Sequence, residues 1–479
     1  MVLSEILFTA VVYLSNNNLL NRLAAIRDAG YLPVPNAHVF PMLKSIKTAF
    51  CGGIFFTLTT GTGFCILAFF WAWIVCRTGL KRRTAAVLSL MPLGMILAAI
   101  NANGMNVFAS IAAILIPLPV FLSASSRFRY KRSGLDPART GAHIAVILIL
   151  GVAWFARADR NMFVNIRDYV LFSNPAGKAV NAFYYRYTLF PAEVFKTYDQ
   201  KLLKTCRLKP DPGMDTKKIT AALIKNDYLP TKKKPVDLEL SGGKKDLVFF
   251  HNGKKVLTAR ARKFIAYPGP VLSSFSNKCD NNLFFRKFTF FSLICTLPLF
   301  FYILVHFVFQ LLLVWIRNPR FRDIWAAIAC LGLGLAFILP LYFLPAGHVP
   351  EKALNVKIAS PAWTDQRAAL KTMAESGIDP LIYTGVEALV KSPHVPVRYW
   401  LANALSNSKG PGAEKILRKM IRDPQPNVVC MACYALGRRH IIAARPLFLN
   451  LLKTSAHPYV QWYAYKALRK TGWTQSDLN

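Results

Sequence analysis

Six apolar runs punctuate the chain, near residues 50–76, 84–101, 105–122, 142–157, 288–316 and 324–344. A helix needs ~20 largely apolar residues to cross a ~30 Å hydrocarbon layer, so the pattern predicts a mainly α, polytopic membrane protein of about six spans. Only the NANG stretch at 101–104 separates the second run from the third, which predicts a tight helical hairpin whose ends Asn101, Asn103 and Asn106 cap. The fourth run is short and the fifth long, which predicts a re-entrant edge for one and a tilt for the other. Gly61 and Gly63 in TTGTGFC permit close helix approach in the first span. The opening MVLSEILFTAVVYLS carries Glu5 where a secretory leader has its basic region, and reads as an interfacial helix or the tail of a span, not a cleaved signal.

Between and after the apolar runs the pattern changes period. At 167–204 an aromatic and basic stretch has turn chemistry at SNPAG and the consecutive Tyr184, Tyr185, Arg186 and Tyr187. These residues suit a membrane–water interface, and an amphipathic helix packed on its own domain suits them equally. At 216–275 a helix over 216–227 precedes alternating segments VDLEL, DLVFF, KKVLTA and KFIA, separated by SGGKK and HNGKK, which predicts a small α/β domain with hairpin turns. SGGKK lacks the spacing of a phosphate loop and joins two strands. Cys206 and Cys279 flank this domain, where a disulfide tying its ends together and a pair of buried free thiols are both open.

The last quarter repeats itself. Val397, Leu401, Ala404 and Leu405 recur as Val428, Ala432, Ala435 and Leu436, and again as Val460, Ala464, Ala467 and Leu468, at offsets of 31 and 32 residues. Each set falls at i, i+4, i+7 and i+8, one face of a helix, and follows a proline-containing turn. Second helices follow at GAEKILRKMIRD and AARPLFLNLLKT, where Ile416 and Met420 correspond to Leu447 and Leu451. An earlier block, QRAALKTMAESG with DPLIYTGVEALVKS, puts Gln366 at an apolar position, as a terminal capping repeat can. Residues 364–473 resemble HEAT-like repeats of the phycobilisome-lyase type, which implies an α-solenoid and a protein-binding surface but no lyase activity. The chain thus divides into 1–49 (N-terminal interfacial or extracytoplasmic segment), 50–157 (four spans), 158–287 (basic aromatic segment and α/β domain), 288–344 (two spans), 345–363 (linker) and 364–479 (repeats).

Charge adds an orientation. The formal charge is +37, from 60 basic and 23 acidic residues. Interleaved with apolar runs, it points to anionic membrane lipids or an acidic partner and away from nucleic acid. RTGLKRR at 77–83, the 123–141 loop and RNPRFRD at 317–323 are basic short loops that alternate crossings put on one side, while the NANG loop opposite has no basic residue. The positive-inside rule makes that side cytoplasmic, in a bacterial inner membrane, and leaves 158–287 and 345–479 on the periplasmic side.

Candidate chemistry is sparse. His306 and Gln310 stand four apart on the fifth span, as interhelical glue or as the lining of a polar path. Counting helical rise from the span ends puts His306 ~15 Å deeper than His143, which sets aside a bis-histidine haem. Cys430 and Cys433 in CMAC are core cysteines by their helical position. Arg438, Arg439 and His440 complement a helix C-terminus or dock a partner. No hydrolase, zinc-protease or nucleotide-binding motif occurs, so no catalytic residue, metal ligand or cofactor is assigned. The combination reads as a membrane scaffold or assembly subunit of an envelope complex. A transporter or lipid-handling permease component, or a membrane enzyme on lipid-linked substrates, are the alternatives.

Overall fold

The computed structural model describes residues 1–77, 82–130, 136–159, 161–233, 235–342 and 348–478. Parts of the basic loops at 77–83 and 123–141 and of the 345–363 linker lie outside the described residues. The chain forms two compact units, one of residues 1–12, 49–165 and 280–344, the other of residues 13–48, 166–279 and 345–479.

Apolar helices build the first unit. Among the described residues, five helical runs are long and apolar enough to cross a membrane: Ile46–Arg77, Val107–Phe128, Pro137–Ala156, Leu283–Leu312 and Pro319–Pro340. The predicted 84–101 span is the Arg82–Asn101 helix, with Pro92 inside it and a shorter apolar stretch, Val87–Asn101. The 101–106 hairpin holds by its asparagines: Asn106 caps the next helix by accepting from the Ala109 amide (3.0 Å), and Asn101 accepts from the Asn106 amide (2.8 Å) and donates to Ser110 (2.9 Å). Phe8 of the Val2–Asp28 helix packs tilted on Phe56 and edge-to-face on Phe108 and Phe285, at centroid distances of 5.6–5.9 Å.

Two π-turns, Thr57–Gly61 and Ser292–Thr296, interrupt the helices that meet beside this cluster. Thr59 and Thr62 donate back to the carbonyls of Phe55 (2.7 Å) and Leu58 (2.6 Å), and Thr60 bonds Thr289 across the interface (2.8 Å). A Cβ on Gly61 or Gly63 would lie 2.2 or 2.3 Å from the hydroxyl of Ser4 or Ser292. The close approach read from TTGTGFC is therefore real.

The second unit contains one mixed sheet, β1 (Lys204–Pro210), β2 (Tyr228–Pro230), β3 (Leu238–Gly242), β4 (Asp246–His251) and β5 (Lys254–Arg260), in the order β2-β1-β3-β4-β5. β1 runs parallel to β2 and β3, and β3, β4 and β5 form an antiparallel meander. Asn252 and Gly253, both with positive φ, make the β4–β5 turn. The helix Thr216–Lys225 and two more, Ala261–Ala266 and Pro268–Lys278, cover the sheet through Ile219, Leu223, Phe264, Val271 and Phe275. KFIA, expected as a strand, is helical, because Ala261 and Phe264 sit three apart on the face buried against the sheet. β1 was not foreseen; its Lys and Arg obscure the alternation that points Cys206 and Leu208 into the core.

Helical pairs follow. The helices Trp363–Ser376, Val395–Ala404, Pro426–Arg438 and Pro458–Lys470 stack side by side, and Pro411–Met420 and Arg445–Thr454 form the second layer. All twelve residues of the repeating apolar pattern are at most 5% exposed. In the second layer Leu417 and Phe448, also 31 apart, bury more fully than the pair Ile416 and Leu447 picked from the pattern. The second half of the first block is a pair of 3₁₀ turns, Pro380–Ile382 and Val386–Lys391, and Gln366 donates to the Ser360 carbonyl (2.9 Å) in place of apolar packing.

Gly437 marks a tight crossing between repeat helices, since a Cβ there would lie 2.7 Å from the Ala467 Cα. Gly437→Ala is expected to force the Pro426 and Pro458 helices apart, lowering stability by about 1–3 kcal/mol in denaturant unfolding of the full chain, despite alanine's better helix propensity.

The same unit carries its other segments on the repeats and the sheet. Arg22 pairs with Asp237 (3.2 Å), which also accepts from the Thr205 amide (2.8 Å). The Asn36 side-chain amide donates to the carbonyls of Leu452, Lys453 and Ser455, and its backbone amide donates to Gln461 (2.8 Å).

Candidate functional site

Three helices of the first unit converge their polar residues on one carboxylate. Pro137–Ala156, capped by Asp136, carries Arg139 and His143 one turn apart; Leu297–Leu312 carries Tyr302, His306 and Gln310 at i, i+4 and i+8; Pro319–Tyr342 carries Asp323 in its first turns. Asp323 is 4% exposed. Its Oδ2 accepts from Arg139 Nε (2.8 Å) and faces His143 Nε2 (3.1 Å), and its Oδ1 accepts from the Gln310 amide and faces His306 Nε2 (3.4 Å). His143 Nδ1 meets the Tyr302 hydroxyl at 2.6 Å.

A buried carboxylate among apolar helices is costly unless paired, and this one has a cation, an amide and two imidazoles around it. His306 and Gln310 do share a face, and their common object is Asp323. The sequence reading of depth is overturned: the rings of His143 and His306 lie 4.7 Å apart. The helix bearing His306 ends at Leu312, short of the basic loop, so His306 stands six residues from its helix end, as His143 does from Pro137. At ~1.5 Å per residue the two depths agree.

Elsewhere the sequence candidates separate. Tyr184, Tyr185, Arg186 and Tyr187 end the Pro175–Tyr187 helix. Tyr185 packs on Tyr459 of the repeats (4.7 Å), and burial raises its phenol to about 12. Tyr184 and Arg186 are exposed, beside exposed Val180 and Phe183. Arg438, Arg439 and His440 serve the repeats themselves. Arg438 donates to Ser406 (3.2 Å), Arg439 to the Gly410 carbonyl (2.8 Å), and His440 Nδ1 bonds the Lys470 carbonyl (2.6 Å).

Cys206 and Cys279 are free thiols in the structure. Cys206 points from β1 into the core and Cys279 packs at its rim; burial raises the Cys279 thiol to about 11 and the Cys206 thiol further. Cys430 and Cys433 are likewise buried free thiols, the latter raised to about 12. A cavity of about 20 Å³ lined by Leu19, Arg22, Phe190, Glu193 and Trp462 has room for about one water molecule.

Sequence reasoning missed the two carboxylates that organise the units. In the sequence Asp323 closes the basic loop RNPRFRD, yet it stands directly before a long apolar run, four residues past a helix-starting proline. Asp168, fully buried in the second unit, is held by Arg167 (2.7 Å), Arg367 (2.9 Å) and the Trp400 indole (2.8 Å). Only the fold brings residues 168, 367 and 400 together.

No curated protein and no solved structure matches the chain. Residues 384–469 match the HEAT repeats family, so the paired helices that stack over this part of the chain are HEAT-like repeats.

Proposed function

We propose that this protein is a membrane-embedded scaffold, an assembly subunit of a bacterial envelope complex, whose HEAT-like repeats hold an acidic protein partner outside the cytoplasm. The observation that carries the reading is the match of residues 384–469 to HEAT repeats, which are typically protein-interaction modules. Kinship with the phycobilisome-lyase type enters as architecture only. The face made by the first-layer helices is engaged by the chain's own 166–190 segment, through Asp168, Asn181 and Tyr185. The second layer exposes Lys415, Lys419, Arg422 and Lys453, which favours an acidic partner.

Membrane embedding is supported by the five long apolar helices and the charge of the short loops. Parity supports a sixth crossing. Segments 13–48, 166–279 and 345–479 fold into one unit, which an even number of crossings between 48 and 166 would keep on one side of the membrane. Counting Arg82–Asn101 with Ile46–Arg77, Val107–Phe128 and Pro137–Ala156 makes four.

The test is extraction of the tagged full chain from native membranes in mild detergent, followed by mass spectrometry. A stoichiometric protein partner is expected, lost when Lys415, Lys419, Arg422 and Lys453 are changed together to Glu. An unchanged set of partners in that variant would overturn the reading. A lone protein carrying anionic lipid would favour the lipid-handling alternative, for which exposed Val180, Phe183, Tyr184 and Arg186 are the specific observation.

A further inference from the structure

We propose that His143, His306 and Asp323 form a binding site for a divalent first-row transition ion, zinc fitting the donor set best. The inference is independent of the scaffold reading. One donor atom from each of the three side chains lies within 4.8 Å of the others. The two imidazole-to-carboxylate distances, 3.1 Å from His143 Nε2 and 3.4 Å from His306 Nε2, are the informative ones. Donors of a tetrahedral zinc site, each about 2.0–2.1 Å from the metal, stand about 3.3 Å from one another. Each imidazole thus already stands at ligand-to-ligand distance from a carboxylate oxygen, His143 from Oδ2 and His306 from Oδ1.

Hydrogen bonding alone leaves this cluster incomplete, because among the described residues the buried Nε2 of His306 has no hydrogen-bond partner. A metal ion between the three groups would use that lone pair. The chemistry of the donors selects the ion: two imidazoles and a carboxylate suit Zn²⁺ and its neighbours, whereas Ca²⁺ and Mg²⁺ take oxygen ligands and Cu⁺ takes sulfur.

The surroundings are also those of a metal site. In the tautomer with the proton on Nδ1, His143 donates to Tyr302 and Nε2 is the free ligand atom, and Gln310 orients the carboxylate. Three protein ligands leave a fourth position for water. Arg139 is the competitor for Oδ2; its side chain is 43% exposed, so it can swing into water when the ion enters.

The test uses the full chain in detergent, stripped with a chelator and titrated with Zn²⁺ and separately with Co²⁺. We expect one Zn²⁺ per chain and, with Co²⁺, the intense visible absorption of a four-coordinate ion. His306→Gln and Asp323→Asn should weaken zinc by about 100-fold or more, Tyr302→Phe by about 10-fold, and Arg139→Gln should tighten it. The wild-type cobalt spectrum needs no variant to fold. Monodisperse wild type that takes up less than about 0.1 equivalent, or a His306→Gln protein with unchanged uptake, overturns the proposal. Weakening by Arg139→Gln would assign the cluster to an ion-pair network and overturn it too.

Discussion

Arg367→Ala is expected to lower the stability of the repeat-bearing unit by about 3–5 kcal/mol. The reason is what it leaves behind. Asp168 and Arg367 are at most 1% exposed, and Arg367 contributes Nε (3.0 Å) and Nη2 (2.9 Å) to one carboxylate oxygen while lying over the rings of Tyr169 and Trp400. Truncation removes both hydrogen bonds and the cation–π contacts, and strands a buried anion with Arg167 and the Trp400 indole. Amide hydrogen exchange over the helix Pro426–Arg438, read in the full chain, reports the loss. Asp168→Asn should cost less than Arg367→Ala, because the amide is neutral and still accepts from Trp400. A loss below about 1 kcal/mol for Arg367→Ala would make the pair no stronger than a surface ion pair and refute this account.

Acidification should destabilise the same unit before its carboxylates titrate. His457 precedes the helix Pro458–Lys470; burial, then the charge of Arg186, pushes its imidazole down to about 4. The unfolded chain takes up this proton near pH 6.5 and the folded one does not until about pH 4. Stability is therefore full above about pH 6.5, falls as pH drops through the window, and has lost on the order of 2–3 kcal/mol near pH 4. His394 shifts in the same direction, so the assignment rests on comparison with His457→Gln. That variant should show a flatter profile between pH 6.5 and 4, and an unchanged slope would remove His457 as the cause.

Asp237 acts lower on the scale. Burial alone would raise its carboxyl, but Arg22, Lys201 and the Thr205 amide and hydroxyl outweigh it and hold the group below the ordinary carboxylate value. Its contribution is present above the ordinary carboxylate range and is lost as pH falls through that depressed value, outside the window in which His457 acts.

Much of the architecture was legible because it rests on local periodicity. The twelve apolar positions of the repeats, the asparagine hairpin at 101–106 and the turn at Asn252 and Gly253 each follow from spacing or from backbone preferences of single residues. The β1 strand was illegible because Lys and Arg alternate with its inward residues. KFIA was misread because four residues cannot distinguish a period of 2 from one of 3.6. Its helical state follows from packing Phe264 against a sheet whose other members lie up to 60 residues away.

For the polar clusters the division is sharper. The sequence by itself determined that His306 and Gln310 lie on one helical face, that the short loops are basic, and that residues 364–473 repeat with the period of stacked helices. Tertiary structure alone decided that His143, His306 and Asp323 meet and that Asp168 is enclosed by Arg167, Arg367 and Trp400. Periodicity governs which side of an element a residue occupies, and it acts over a few residues. Which elements then face each other, and at what depth, is set by long-range packing and by where each helix ends, as the helix end at Leu312 shows for His306.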